Sequence, residues 1–207
     1  MGREEKKQLT KERILHEARD LFFTKGYEAT ITEEVAKRAD IGTGTLFNYF
    51  DSKAELLVEV FSEEFVDDMD EMDYKITDSD HEREVSDLVY HYIYRRVERY
   101  THFSKTLFRD MMGIAVQAFQ SKPEIFKKFV GLDFMLVDEL IEFMNHLKDE
   151  DMLSQDFDSN QAAEIIYSSL GFEFLMYLYQ GELTMEDFLN GIRAKIKFIF
   201  GEKDTIR

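Results

Sequence analysis

The stretch "IGTGTLFNYFDSK" (residues 41–53) gathers side chains suited to polar recognition in an unusual order. Thr43, Gly44 and Thr45 are small, two of them carry hydroxyls, and Leu46-Phe47 and Tyr49-Phe50 follow at once. Asn48 adds an amide, and Lys53 places an ammonium just after Asp51-Ser52. Hydroxyls, an amide, a phenol and a cation are donors fit for base edges and phosphate oxygens. Small residues at the head of the run would let another surface approach the backbone closely. The bland alternative is a tight turn feeding a buried aromatic cluster, and spacing alone leaves the two open.

The flanking segments are those that would position such a tip. "TKERILHEARDLFFTKG" has Ile14, Ala18, Leu21 and Phe22 on one helical face, with Thr10 as expected cap and Gly26 as stop. "TITEEVAKRAD" predicts a short second helix, capped by Thr30 with Glu33 or by Thr32, with Val35, Ala36 and Ala39 inward. Asp40-Ile41-Gly42 is a turn, and "TGTLFNYF" allows about two more helical turns anchored by Leu46 and Phe50. Ser52 and Glu55 form a capping box ahead of a connecting helix from 52 to about 73. Three short helices with a Gly-containing turn between the second and third match the helix-turn-helix plan, in which the second helix of the pair enters the DNA major groove. Lys53 would then share a phosphate with the amides of the following helix.

Composition narrows the remainder. The chain has 207 residues, 44% hydrophobic, with one Pro, no Cys and a net charge of −17. That suits a soluble, mostly helical protein with a substantial core, and it excludes disulfides, thiolate metal sites and a Cys nucleophile. "MGREEKKQLT" is too charged for a secretory signal, and the run "FLMYLY" is far short of a membrane span, so a cytoplasmic location without membrane partners is expected. Residues 1–53 balance ten basic against ten acidic side chains, which leaves the whole negative excess to 54–207. A nucleic-acid surface is therefore expected only in the first quarter.

Segment 10–61 resembles the N-terminal domain of the TetR/AcrR family of bacterial transcriptional regulators, on "GYEATITEEVAKRADIGTGTLFNYFDSKAELLVEVF". The resemblance implies Thr32 on phosphate, Thr43, Thr45, Phe47 and Asn48 at base edges, and Tyr49 and Lys53 on backbone phosphate. Glu33 and Phe47 depart from the usual family residues. A pair of carboxylates, Glu33-Glu34, suits a helix N-terminus but faces phosphate badly.

The expected fold is all-α: a DNA-binding domain over 1–53, then a helical ligand-binding and dimerisation domain over 54–207. In the second part, "DDMDEMDYKITDSD" (67–80) is expected to be a solvated helix end and loop rather than a cation site. A helix capped by Ser79 and Glu82 should run to about 100, another should end before Pro123, and a long one should span about 123–148. Residues 160–181 are apolar nearly all round and 185–201 carry a broad apolar stripe. A second copy of the same pair is the simplest partner, with Ile165, Phe172, Phe188, Ile192 and Ile199 as candidate interface residues. A homodimer would offer two recognition helices to a palindromic double-stranded operator.

Phe61, Phe65, Tyr90, Tyr94, Phe103, Phe108, Met111, Met112, Phe126 and Tyr167 are candidates to line a cavity for a small hydrophobic or aromatic ligand. Arg95, Arg99, His91 or His102 would supply polar contacts; each of these residues is otherwise simply core or surface. Catalysis finds no support: no phosphate loop, no H-E-x-x-H, no nucleophile elbow, and no Glu three residues before any of the five His. No cofactor or metal is expected. The rival to a ligand-responsive repressor is an acidic helical module that binds protein instead of DNA.

Overall fold

The computed structural model describes residues 2–66, 75–98, 100–101, 103–121 and 123–201. These residues are all-helical and divide into two compact units, residues 1–71 with 103–132 and residues 72–102 with 133–207.

In the first unit, α1 (Arg3–Lys25) buries Ile14, Leu15, Ala18, Leu21 and Phe22, a stripe at helical spacing. It starts a full two turns before the expected cap. Arg3–Leu9 are good helix formers, Glu4 and Glu5 sit at the positive end, and the Glu5 carboxylate accepts from the Gly2 N–H at 3.0 Å. Thr10 is therefore interior, and its hydroxyl donates back to the Lys6 carbonyl at 2.8 Å. Gly26, at φ 84°, ends the helix as expected. Neither predicted capping side chain serves α2 (Thr32–Arg38), whose cap is the extended residue Ile31. Thr30 is fully buried, and its hydroxyl bonds the Gly26 carbonyl at 2.8 Å instead.

After α3 (Thr43–Leu46) the chain continues in hydrogen-bonded turns to Phe50. Leu46 and Phe50 are buried, the anchors expected from their spacing. α4 (Lys53–Val66) begins at the predicted box: Ser52 Oγ accepts from the Glu55 N–H at 3.1 Å, and Glu55 accepts from the Asp51 N–H at 2.8 Å. The acidic run 67–74 and the expected end of this helix lie outside the described residues. α4 packs along α1, with Lys11 and Glu59 paired at 2.6 Å, and α6 (Lys105–Ser121) packs against α4.

The second unit opens with a correction. Ser79 and Glu82 frame only a 3-10 turn, Asp80–Glu82, because Asp80 is buried and accepts from the N–H and hydroxyl of Thr77 while pairing with Arg83 at 3.1 Å. α5 (Val85–Glu98) starts after it and buries Leu88, Val89, Tyr92 and Ile93. α7 (Pro123–Asp149) supplies Leu140, Phe143, Met144 and Leu147 to this core, with the Tyr92 and Phe143 rings stacked at 4.5 Å. α8 (Ser159–Tyr179) is capped by Asp158, and α9 (Met185–Ile199) by a Thr184–Asp187 box. α9 packs on both α8 and α5. No described helix is long and apolar enough to cross a membrane.

Candidate nucleic-acid interface

The turn between α2 and α3 sets the shape of the tip. Asp40 takes a left-handed backbone at φ 54°, tolerable for a short polar side chain, and Ile41 N–H closes the turn on the Ala36 carbonyl at 3.0 Å. Gly42 is extended, and its carbonyl accepts from Thr45 and Leu46 at 2.8 and 3.1 Å, which starts α3. No side chain caps this helix.

The residues expected to meet DNA divide by exposure. Gly44, Thr45, Phe47 and Asn48 are exposed; Thr32, Thr43 and Tyr49 are half-buried on the same helix-turn-helix. Gly44 is helical, yet a Cβ built on it meets nothing within 4 Å. Nothing in the fold requires a glycine there, although glycine weakens a helix.

The charges are arranged so that Glu34 does not face outward alone. Its carboxylate accepts from Lys25 at 2.5 Å and has Arg38 at 4.0 Å, and the Lys25 hydrogen bond holds its carboxyl below the usual range. Arg38 also pairs with Asp20 at 2.5 Å. Glu33 stays exposed. Lys53 is turned inward: its ammonium donates to the carbonyls of Tyr27 at 2.9 Å and Thr30 at 3.1 Å, with Glu28 at 3.5 Å, and lies 4.2 Å from the Tyr27 ring centroid.

Residues 14–60 match the family of bacterial regulatory proteins, tetR family. Over that segment the chain is similar to the N-terminal domain of TetR-family regulators. Over 55 residues it is 46% identical to the HTH-type transcriptional repressor KstR of Rhodococcus jostii, 27% of this chain and 26% of that one. The chain thus matches about a quarter of the length of such curated relatives. The whole fold extends the likeness. A TetR-family regulator from Mesorhizobium loti superposes with a TM-score of 0.68 at 16% identity, covering 94% of this chain and 96% of its own. Thermus thermophilus FadR, a TetR-family repressor solved in complex with lauroyl-CoA, gives 0.60 at 22% identity, covering 95% and 96%.

The candidate ligand residues fall into both units. Phe61 and Phe103 are buried in the first unit, their rings 5.4 Å apart and each against Phe23, and Phe108 packs 5.8 Å from Phe103. Met111 and Phe126 are half-buried and Met112 is exposed, also in the first unit. Tyr90, under the Arg193 guanidinium at 5.2 Å, Tyr94 and Tyr167 are half-buried in the second. The Phe65 side chain lies outside the description, as do Arg99 and His102.

His91 and Arg95 are exposed. A polar pair in the second unit escaped the sequence reading: Arg96 pairs with Glu139 beside Tyr92. Burial raises the Glu139 carboxyl despite Arg96, and pushes the Tyr92 phenol up to about 12. Arg96 is four residues after Tyr92, and that spacing on the buried side of α5 was the available signal.

The candidate interface residues separate by burial. Phe188 and Ile192 are core, not interface: Phe188 packs on Phe174 and Tyr177 at ring distances of 6.1 and 6.0 Å. Ile199 is half-buried. Ile165 and Phe172 are exposed, joined on α8 by Leu175 and Tyr179 and on α9 by Phe198. Spaced seven, three and four apart, the α8 residues form one stripe of the kind that packs helix on helix.

Proposed function

We propose that this chain is a ligand-responsive transcriptional repressor that binds a palindromic DNA operator as a homodimer. The observation that carries the DNA reading is the exposed small-residue tip, with a helical glycine at 44 beside open space. Thr43, Gly44, Thr45, Phe47 and Asn48 read base edges, while Thr32 and Tyr49 hold phosphate. The pairing of Glu34 with Lys25 neutralises half of the acidic pair that favoured a protein-binding module.

The exposed α8 stripe, with Phe198, supports self-association through α8 and α9, which would set two recognition helices about 34–36 Å apart. KstR is named a repressor, and Thermus FadR is solved with lauroyl-CoA, which joins an apolar acyl chain to a charged coenzyme A head. Together they support repression relieved by a ligand that carries an apolar group. The ligand would favour a subunit arrangement in which the recognition helices no longer match successive grooves. The test is retention of a duplex from the gene's own upstream region, with and without hydrophobic compounds that raise the melting temperature. Specific retention lost in Tyr49→Ala and weakened by a stabilising compound is the expected result. Equal retention of unrelated DNA would overturn the reading.

A further inference from the structure

Lys53 was expected to offer its charge to a phosphate, but the structure puts it to another use. Its three N–H groups all point at one bend, residues 27–30 between α1 and α2, and the Tyr27 ring closes over the ammonium at 4.2 Å. Gly26 turns through φ 84° and Thr30 is fully buried. The carbonyls of Tyr27 and Thr30 converge on the ammonium, and that of Tyr27 also accepts from the Thr30 N–H at 3.2 Å. A charged donor to buried carbonyls makes the stronger class of hydrogen bond. Asp110 of α6 lies within electrostatic range of the same ammonium, with one carboxylate oxygen buried and unbonded.

We infer that Lys53 is a positioning residue of the DNA-reading head: it pins the α1–α2 bend to the start of α4 and so fixes α2 and α3, rather than neutralising a phosphate. The inference rests on the DNA-binding reading above, and it makes the charge of Lys53 incidental to DNA while its N–H donors to the bend are essential.

Salt dependence separates the two roles. Each phosphate neutralised contributes about 0.9 to the slope of log affinity against log salt, so a phosphate-bound lysine in each subunit of a dimer contributes about 1.8. The probe is a duplex selected from random-sequence DNA by the wild-type protein. Lys53→Met should weaken binding about 10-fold per subunit, as an unpinned head spends most of its time misplaced, with the slope unchanged. Lys53→Arg keeps the charge but its planar fork does not fit the carbonyl cage, so it should lose affinity similarly. Tyr27→Leu, which alters no charge, should show a smaller loss at the same slope. A slope lowered by about 1.8 in Lys53→Met, with Arg restoring affinity, would overturn the inference.

Hydrogen exchange on the free variants keeps the two levels apart. The 26–31 amides should exchange faster in Lys53→Met while α1 and α4 keep their protection; unchanged exchange refutes the clamp. If the wild type selects no duplex, the DNA reading fails, whatever the exchange shows about the bend.

Discussion

Replacing Gly44 by Ala should move stability and DNA affinity in opposite directions. Gly44 sits inside α3 with ordinary negative φ, and a Cβ there meets nothing within 4 Å. The methyl therefore costs no packing, and the backbone freedom that glycine surrenders on folding is reduced. In a helix interior that difference is about 0.8–1 kcal/mol. α3 is only one turn long, so about 0.5–1 kcal/mol is the expected gain. For a chain of this size the melting temperature should rise by about 1–4 °C.

Against DNA the same methyl stands between the α3 backbone and the base edges. Forcing a methyl into a packed contact costs about 1–3 kcal/mol, and a dimer meets it twice. Operator affinity should fall by about 30-fold to 10⁴-fold. Scanning fluorimetry reads the first effect and fluorescence anisotropy with the operator duplex reads the second. Affinity unchanged in a stabilised Gly44→Ala protein would show that nothing approaches the tip. A lowered melting temperature would show that the space beside Gly44 is not open.

Phe172 is 55% exposed, so in a dimer it should bury about 100 Å² per copy, or about 5 kcal/mol for the pair at 25 cal/mol per Å². Phe172→Glu should raise the dimer dissociation constant by three to four orders of magnitude in sedimentation, with the monomer still folded because the exposed position tolerates a carboxylate near Lys195, which already pairs with Glu173. Leu46→Ala removes the fully buried anchor of α3 and should lower stability by about 2–5 kcal/mol in denaturant melts, with DNA binding lost alongside. Glu33→Gln should raise operator affinity in anisotropy titrations, because the exposed carboxylate repels phosphate. The Arg193 hydrogen bond at 2.7 Å holds the Asp87 carboxyl below its unfolded value, so its contribution is present above about pH 4 and is lost as pH falls through the folded value. Arg193→Met should lower stability by under about 1 kcal/mol at pH 7, since the pair is partly exposed, with the difference disappearing in acid melts.

Legibility in the sequence followed the locality of the interactions. Ser52 caps α4 because its whole device, Ser-x-x-Glu, lies within four residues. Thr30 and Ser79 carry equally good local signals and cap nothing. Thr30 is sealed in the bend, and Asp80 draws its bonds from Thr77. Burial and competing partners at those points are tertiary facts. The apolar texture of α8 announced two contact surfaces but could not assign residues to them. Phe188 and Ile192 went inward because α9 is gripped by α5 as well as α8, which uses the stripe that periodicity offered to a partner. Leu175, Tyr179 and Phe198 keep the outward positions. Lys53 was the hardest to read, since the carbonyls that hold it lie more than twenty residues earlier.

The even charge count of residues 1–53 has a structural counterpart that bears on how such a head discriminates. Lys25 is taken by Glu34, Arg38 by Asp20 and Glu17, Lys11 by Glu59, and Lys53 by backbone carbonyls. Each of these cations orients an element of the head instead of standing free before a phosphate. Non-specific DNA affinity comes almost entirely from free positive charge, whereas specific affinity also draws on base contacts. Engaging these four of the ten cations internally therefore lowers the first term more than the second. Within a chain of net charge −17, long-range attraction adds little either. On the proposed DNA-binding reading, such a head would owe its selectivity to weak attachment to wrong sequences, and its correct site would have to be recognised by close fit at residues 43–48, where added bulk would be felt.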